Sequence, residues 1–352
     1  MNQSLISGID HGIADLYPGY FSLVMATGII SIAAHFFFLN LIAEILLVIN
    51  LVAYIGLWLL FFIRIFRYPL RVVEDFKNPG KSAGFFTTVA GTCVLGSQII
   101  ILKGWNQAAY PLFLLGIGLW FIIIYLFFFT MITREVKPSL ENGINGTWFI
   151  AVVATQSISV LGSLIAPTFP QPQEFLLLFT LLLYLLGGML YLLLVTLIFY
   201  RLLFNPILAQ AMSPTYWISM GAIAITTLAG DRLILNASLW PFLSNLLPFL
   251  QGFTLFFWAF ATWLIPLLII LGIWRHLIKQ VLIRYDPQYW GMVFPLGMYT
   301  VSTFLLAKAT HLDFLEIIPQ YFLYLSLGAW LATLSGMVIH LLKPLGSNLP
   351  KG

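Results

Sequence analysis

Charge is what this 352-residue chain has least of: 8% of its residues are Asp, Glu, Lys or Arg, while 61% are hydrophobic. Soluble domains carry about 25% charged residues, so a soluble globule is excluded. The single cysteine, Cys93, rules out an intrachain disulfide and any multi-cysteine metal site. The five histidines, His11, His35, His276, His311 and His340, never stand four residues apart. There is no His-Glu-x-x-His, no glycine-rich nucleotide loop and no pair of carboxylates within an apolar run. No cofactor and no resident metal are therefore expected. An intramembrane enzyme needs ionisable groups clustered at membrane depth, which leaves enzyme or receptor as a remote alternative to transport. The first 17 residues lack a basic n-region and a cleavage site and are read as a cytoplasmic or interfacial segment, not a signal peptide. Their Leu5, Ile6, Ile9, Ile13 and Leu16 fall near helical spacing.

What is present is a succession of apolar runs near 20 residues long, the length that crosses a hydrocarbon core about 30 Å thick; the mean hydropathy is +0.99. Ten spans are expected, over 18–38, 41–66, 84–103, 108–133, 146–166, 174–200, 215–235, 249–274, 288–308 and 318–342. The fold class is thus all-α and integral to the membrane, with one ten-helix domain over 18–342 and a C-terminal tail over 343–352. An even number of spans puts both termini on one side. Thirteen of the sixteen Lys and Arg residues fall on that side, leaving only Lys103, Arg232 and Lys308 opposite. The positive-inside rule then makes both termini cytoplasmic, in the inner or plasma membrane. The same asymmetry explains a pI near 9.1 without nucleic acid as a partner.

The chain repeats. Each odd span opens on adjacent aromatics: Tyr20-Phe21, Phe85-Phe86, Trp148-Phe149, Tyr216-Trp217 and Tyr289-Trp290. Twenty residues from each pair, the odd spans hold 37 Gly, Ala, Ser and Thr in 100 positions, against 21 in matching windows of the even spans. Small and hydroxylic side chains let helices approach and bond one another, whereas Leu, Ile and Phe suit lipid. The odd helices are therefore expected inside and the even ones outside. Five like-oriented hairpins point to a quasi-fivefold arrangement around a central pore. Five positions on from each first aromatic stand Met25, Ala90, Val153, Gly221 and Phe294. One level of the ring would then hold a single aromatic, with Pro295 after it to interrupt the hydrogen-bond ladder.

The stretch YPGYFSLVMATGIIS, Tyr17 to Ser31, resembles the first-helix signature Pro-x-x-Phe-x-x-x-Met-Gly-Thr-Gly-Ile of the tellurite-resistance/dicarboxylate transporter family, with Ala26 where the signature has Gly. WGMVFPLGMYTVS resembles that family's Phe-Pro pattern through Phe294 and Pro295. The family groups bacterial tellurite-resistance proteins, fungal malate and sulfite permeases and plant slow anion channels. The resemblance implies a homotrimer in the lipid bilayer, each protomer with its own anion pore along the odd helices and a phenylalanine gate at Phe294.

Pore-lining candidates are Phe21, Met25, Thr27, Gly28, Phe86, Thr92, Gln98, Thr155, Gln156, Thr226 and Thr300, where hydroxyls and amides could replace an anion's hydration shell. Lys103, Arg232 and Lys308 all stand at far ends of odd helices and are expected to attract anions to the outer mouth. Proton coupling would mark itself with an acid or His at membrane depth. His35 and Glu44 are the nearest candidates. Passive conduction of small anions, either C4-dicarboxylates such as malate or chloride, nitrate and sulfite, is the expectation; a proton-coupled C4-dicarboxylate carrier is the alternative.

Overall fold

The computed structural model describes residue 10 and residues 12–170 and 172–342. The expected C-terminal tail and most of the expected N-terminal segment lie outside the described residues. Among the described residues, ten helices are long and apolar enough to cross a membrane: α1 (Pro18–Phe36), α2 (Asn40–Arg67), α3 (Ser82–Lys103), α4 (Asn106–Thr133), α5 (Gly146–Thr168), α6 (Gln173–Phe204), α7 (Pro214–Leu235), α8 (Leu247–Ile278), α9 (Pro287–Thr310) and α10 (Asp313–Leu342). The largest boundary difference from the sequence reading is at α10, where a 3-10 turn, Asp313–Glu316, precedes the regular helix. The polar connection after α2 holds a nine-residue helix, Pro69–Lys77. It is anchored by Asp75, which accepts from the buried Arg64 at 2.5 Å and from Lys81 at 2.9 Å.

The odd and even helices differ as composition predicts. In the most apolar stretch of each helix, 83% to 94% of residues are buried in the odd set and 22% to 50% in the even set. Every odd helix begins with a 3-10 turn: Pro18–Phe21, Ser82–Phe85, Gly146–Phe149, Pro214–Trp217 and Pro287–Tyr289. Proline at the first turn loses no hydrogen bond, because that N–H has no helical partner anyway. The turns touch their neighbours in sequence and the last touches the first. Glycine permits this closeness: a Cβ on Gly84 would lie 2.9 Å from the Gly19 backbone nitrogen.

Above the turns α1, α3, α5, α7 and α9 pack side by side, and α9 returns to α1. Each even helix lies against the odd helix before it and more lightly against the one after; α10 reaches back to α1. The even helices present Leu59, Phe66, Phe121, Leu182, Ile270 and Leu331 outward, the face that hydrocarbon accepts without cost. At the end away from the termini, α3 stops on Gly104 at φ 68°, and α9 stops on His311, a side chain held in the left-handed region at φ 57°.

Candidate functional site

Between the five inner helices lies an axial cavity lined by Ile29 and Ile32 of α1, Val94, Ser97 and Ile101 of α3, Ser157 and Val160 of α5, Ile225, Leu228 and Arg232 of α7, and Met298 and Val301 of α9. Its room for water-sized occupants is only about 20 Å³, enough for one water or two. The lining obeys one rule. Counting each pair's first aromatic as position 0, position 9 is Ile29, Val94, Ser157, Ile225 or Met298, and position 12 is Ile32, Ser97, Val160, Leu228 or Val301. Ile101 and Arg232 both stand at position 16. Steps of three and four residues keep one helix face, so the aromatic pairs set a common register for all five helices.

That register relocates most of the expected lining residues. Position 7 lies two residues from position 9, about 200° around the helix. There Thr27 accepts from the Trp330 indole at 3.0 Å, Thr155 from the Trp120 indole at 2.9 Å, and Thr92 pairs with the Tyr54 hydroxyl at 3.0 Å. Thr303 likewise accepts from Trp258 at 3.0 Å. These hydroxyls face the even helices, because a buried indole N–H needs an acceptor and the odd helix behind it supplies one. Gln98 accepts from Asn50 of α2 at 2.7 Å, and Gln156 donates to the Tyr184 carbonyl of α6 at 3.0 Å. Gly28 is pressed against α3, since a Cβ there would come within 2.7 Å of Val94 Cγ1. The Phe21 ring packs on Tyr54, Trp58 and Phe61 of α2, and Phe86 on Phe127 of α4. Thr226 and Thr300 donate to Ala222 and Leu296 of their own helices at 2.8 and 2.9 Å and do not border the cavity.

Met25 and Phe294 stand one turn below Ile29 and Met298, on the cavity's face and nearer the end that carries the termini. Both are buried. Phe294 enters no aromatic pair among the described residues. Pro295 packs against α7, where a Cβ on Gly221 would lie 2.7 Å from Pro295 Cγ.

The far-end charges also sort themselves. Lys103 bonds Glu44 at 2.6 Å, and Lys308 bonds Glu316. Each is neutralised by a carboxylate from the start of the adjoining even helix, and only Arg232 borders the cavity. Its Nε has no partner among the described residues, and the two cavity hydroxyls donate to the backbone of their own helices, Ser97 to Cys93 at 2.9 Å and Ser157 to Ala154 at 2.8 Å. Asp231, next to Arg232, is wholly buried, and neither of its carboxylate oxygens is bonded among the described residues. From sequence Asp231 reads only as a partial offset to the far-end cations, with His35 and Glu44 as the candidates for proton coupling. No group of three or more His, Cys, Asp and Glu gathers into a metal site among the described residues.

A family model described as voltage-dependent anion channel matches residues 15–338. The chain is 27% identical over 329 residues to an uncharacterized transporter of Methanocaldococcus jannaschii, covering 92% of this chain and 94% of that one. It is 38% identical over 148 residues to an uncharacterized membrane protein of Mycobacterium tuberculosis, covering 42% and 75%. A sulfite efflux pump of Arthroderma benhamiae is 22% identical over 333 residues, covering 88% and 86%.

Proposed function

Because the chain belongs to the voltage-dependent anion channel family, whose members are membrane transporters or channels and not enzymes, we propose that its axial cavity is the route by which small anions cross. The observation that carries this is the shared register: the same two positions of every odd helix border one axial space. The level one turn lower holds Met25, Ala90, Val153, Gly221 and Phe294. On this reading the Phe294 ring fills the gap left by four smaller neighbours and closes the route. Arg232 is the cation that attracts anions at the far mouth. The protomers form a homotrimer in the plasma membrane with both termini cytoplasmic. At a negative-inside potential each outward-moving negative charge gains about 2.3 kcal/mol per 100 mV, so efflux is the natural direction. Chloride, nitrate, sulfite and C4-dicarboxylates such as malate all fit this chemistry, and the likeness to the sulfite efflux pump of Arthroderma benhamiae supports sulfite among them.

The test is planar-bilayer current from purified protein, wild type against Phe294→Ala, in chloride and then in malate. An anion-selective current that appears in the variant and not in the wild type supports a phenylalanine gate and ranks the two anions. Silence from both, with saturable malate flux in liposomes, refutes it.

Asp231 favours a second reading, proton-coupled transport. It is a buried carboxyl group without a partner, one residue from the cavity lining, and so is placed to carry a proton with an anion. Uptake driven by an imposed proton gradient and abolished in Asp231→Asn would select that reading; flux indifferent to the gradient would reject it.

A further inference from the structure

At the end of the bundle that carries the termini, a pocket of about 370 Å³ opens between α7, α8 and α9. Its floor is polar and basic: Ser213, Tyr216, Arg275, His276 and Tyr289. Arg201, at the end of α6 and only 7% exposed, donates to the Tyr216 hydroxyl from behind that floor. Two guanidinium groups thus converge on this corner. Among the described residues neither has a carboxylate within ion-pair reach, and the Nε of each is buried without a partner. The acid on the adjoining loop, Asp286, instead caps the Gln288 N–H at 2.8 Å. A nearly buried arginine held only by a neutral phenol is an uncompensated charge, and such charges are costly unless an anion joins them.

The upper wall differs. It is the outward side of α8, with Ile269, Ile273 and Leu277 respectively 48%, 48% and 73% exposed. Gly272 in that wall has nothing within 4 Å of where a Cβ would stand, so the space beside it is open. The last turn of α8, Trp274–Ile278, is wound as a π-helix, a widening that recurs at functional sites. Here it carries Arg275 and His276 into the pocket.

We infer that this corner binds one anionic phospholipid, its phosphate on Arg275, with Arg201 adding its charge from behind Tyr216, and an acyl chain along Ile269, Gly272 and Ile273. A free oxyanion would satisfy the arginines equally well but would leave the apolar wall unused. Basic pockets between transmembrane helices at a cytoplasmic face are a recurrent form of anionic-lipid recognition. The inference does not depend on how the axial route is gated.

The experiment is native mass spectrometry of the full chain released from phosphatidylcholine nanodiscs that contain a rising fraction of phosphatidylglycerol. The wild type is expected to retain one phosphatidylglycerol per chain, preferred over phosphatidylcholine by about tenfold, because the choline cation offsets the phosphate charge that the unpaired arginines attract. Arg275→Gln should abolish that preference. Gly272→Phe should also abolish it by filling the open space while both arginines remain, and it decides the matter if the arginine variant does not fold. Millimolar inorganic phosphate should leave the lipid in place. No preference in the wild type, a preference unchanged in Gly272→Phe, or displacement of the lipid by phosphate alone would each overturn the inference, the last by making a free oxyanion the occupant.

Discussion

Thr155→Val and Ser157→Val discriminate between two ways of reading a polar residue in an inner helix. The two side chains are two residues apart on α5 and diverge by about 200°. Thr155 is the acceptor for the Trp120 indole at 2.9 Å. Valine has the same shape and cannot accept, so the substitution strands a buried N–H, at about 1–3 kcal/mol. The thermal midpoint should fall by a few degrees while anion flux per folded protein stays unchanged. Ser157 is itself the donor, to the Ala154 carbonyl at 2.8 Å, so valine there orphans no donor. It does add bulk at an axis with room for only about 20 Å³. Flux through the Phe294→Ala background should fall by about tenfold or more, equivalent to at least about 1.4 kcal/mol of added barrier. The assay is paired: fluorescence-detected thermal unfolding, and anion efflux from liposomes normalised to folded protein. A Thr155→Val that alters anion selectivity with no change in midpoint would refute the outward placement of position 7.

Arg232→Gln removes the one cation bordering the cavity. A unit charge about 4 Å from an anion is worth about 4 kcal/mol at an effective dielectric of 20, so the anion-to-cation permeability ratio, read from reversal potentials, should drop by at least about tenfold; an unchanged ratio would remove Arg232 from the route. Asp75→Asn leaves Arg64, 1% exposed, without its carboxylate, and should cost about 3–5 kcal/mol. The double variant with Arg64→Met should regain most of that loss in the same thermal assay, and equal losses in single and double variants would contradict the argument. Gly28→Val should cost about 1–3 kcal/mol, because its Cβ would meet Val94 Cγ1 at 2.7 Å and Asn50 Nδ2 at 2.9 Å. Gly56→Ala lies inside α2 with nothing within 4 Å, so it should leave stability unchanged or raise it by up to about 1 kcal/mol; a loss there equal to that of Gly28→Val would show that α1 and α3 are not tightly apposed.

The ten spans were legible because hydrocarbon thickness dictates run length, and the inner and outer sets were legible because small residues mark helices that touch protein on all sides. The pairs Tyr20-Phe21 through Tyr289-Trp290 fixed the register, which the cavity lining then followed at Ile29, Ser97, Ser157, Leu228 and Met298. Selection by polarity within that register picks side chains that bond to the even helices or to their own backbone. Thr27, Thr92 and Thr155 attract attention as hydroxyls in apolar helices, yet the groups they satisfy, Trp330, Tyr54 and Trp120, come from even helices distant in sequence. No local pattern announces those partners. The pairing of Lys103 with Glu44 and of Lys308 with Glu316 was hidden for the same reason. Extending the step from Met25 and Phe294 by four and then three residues would have found the lining without the structure.

The polar groups of the inner helices therefore perform two tasks that composition cannot separate. At position 7 they fasten the jacket to the ring, since an indole or phenol that reaches inward must find an acceptor where no water competes. At positions 9 and 12 the axis receives mostly Ile, Val, Leu and Met, with Ser97 and Ser157 the exceptions. A narrow apolar column sheds water and resists ions on that ground alone. On the proposed route, then, Phe294 would not be a lone plug in an otherwise wet tube; the apolar column above it would be a second, drier barrier in series. On that route, passage of an ion with its hydration would need the five helices to separate at positions 9 and 12 as well as a displaced ring at position 5. Because each even helix is bonded to the odd helix after it, as Trp120 is to Thr155 and Trp258 to Thr303, such a separation is shared around the bundle and cannot be confined to one hairpin.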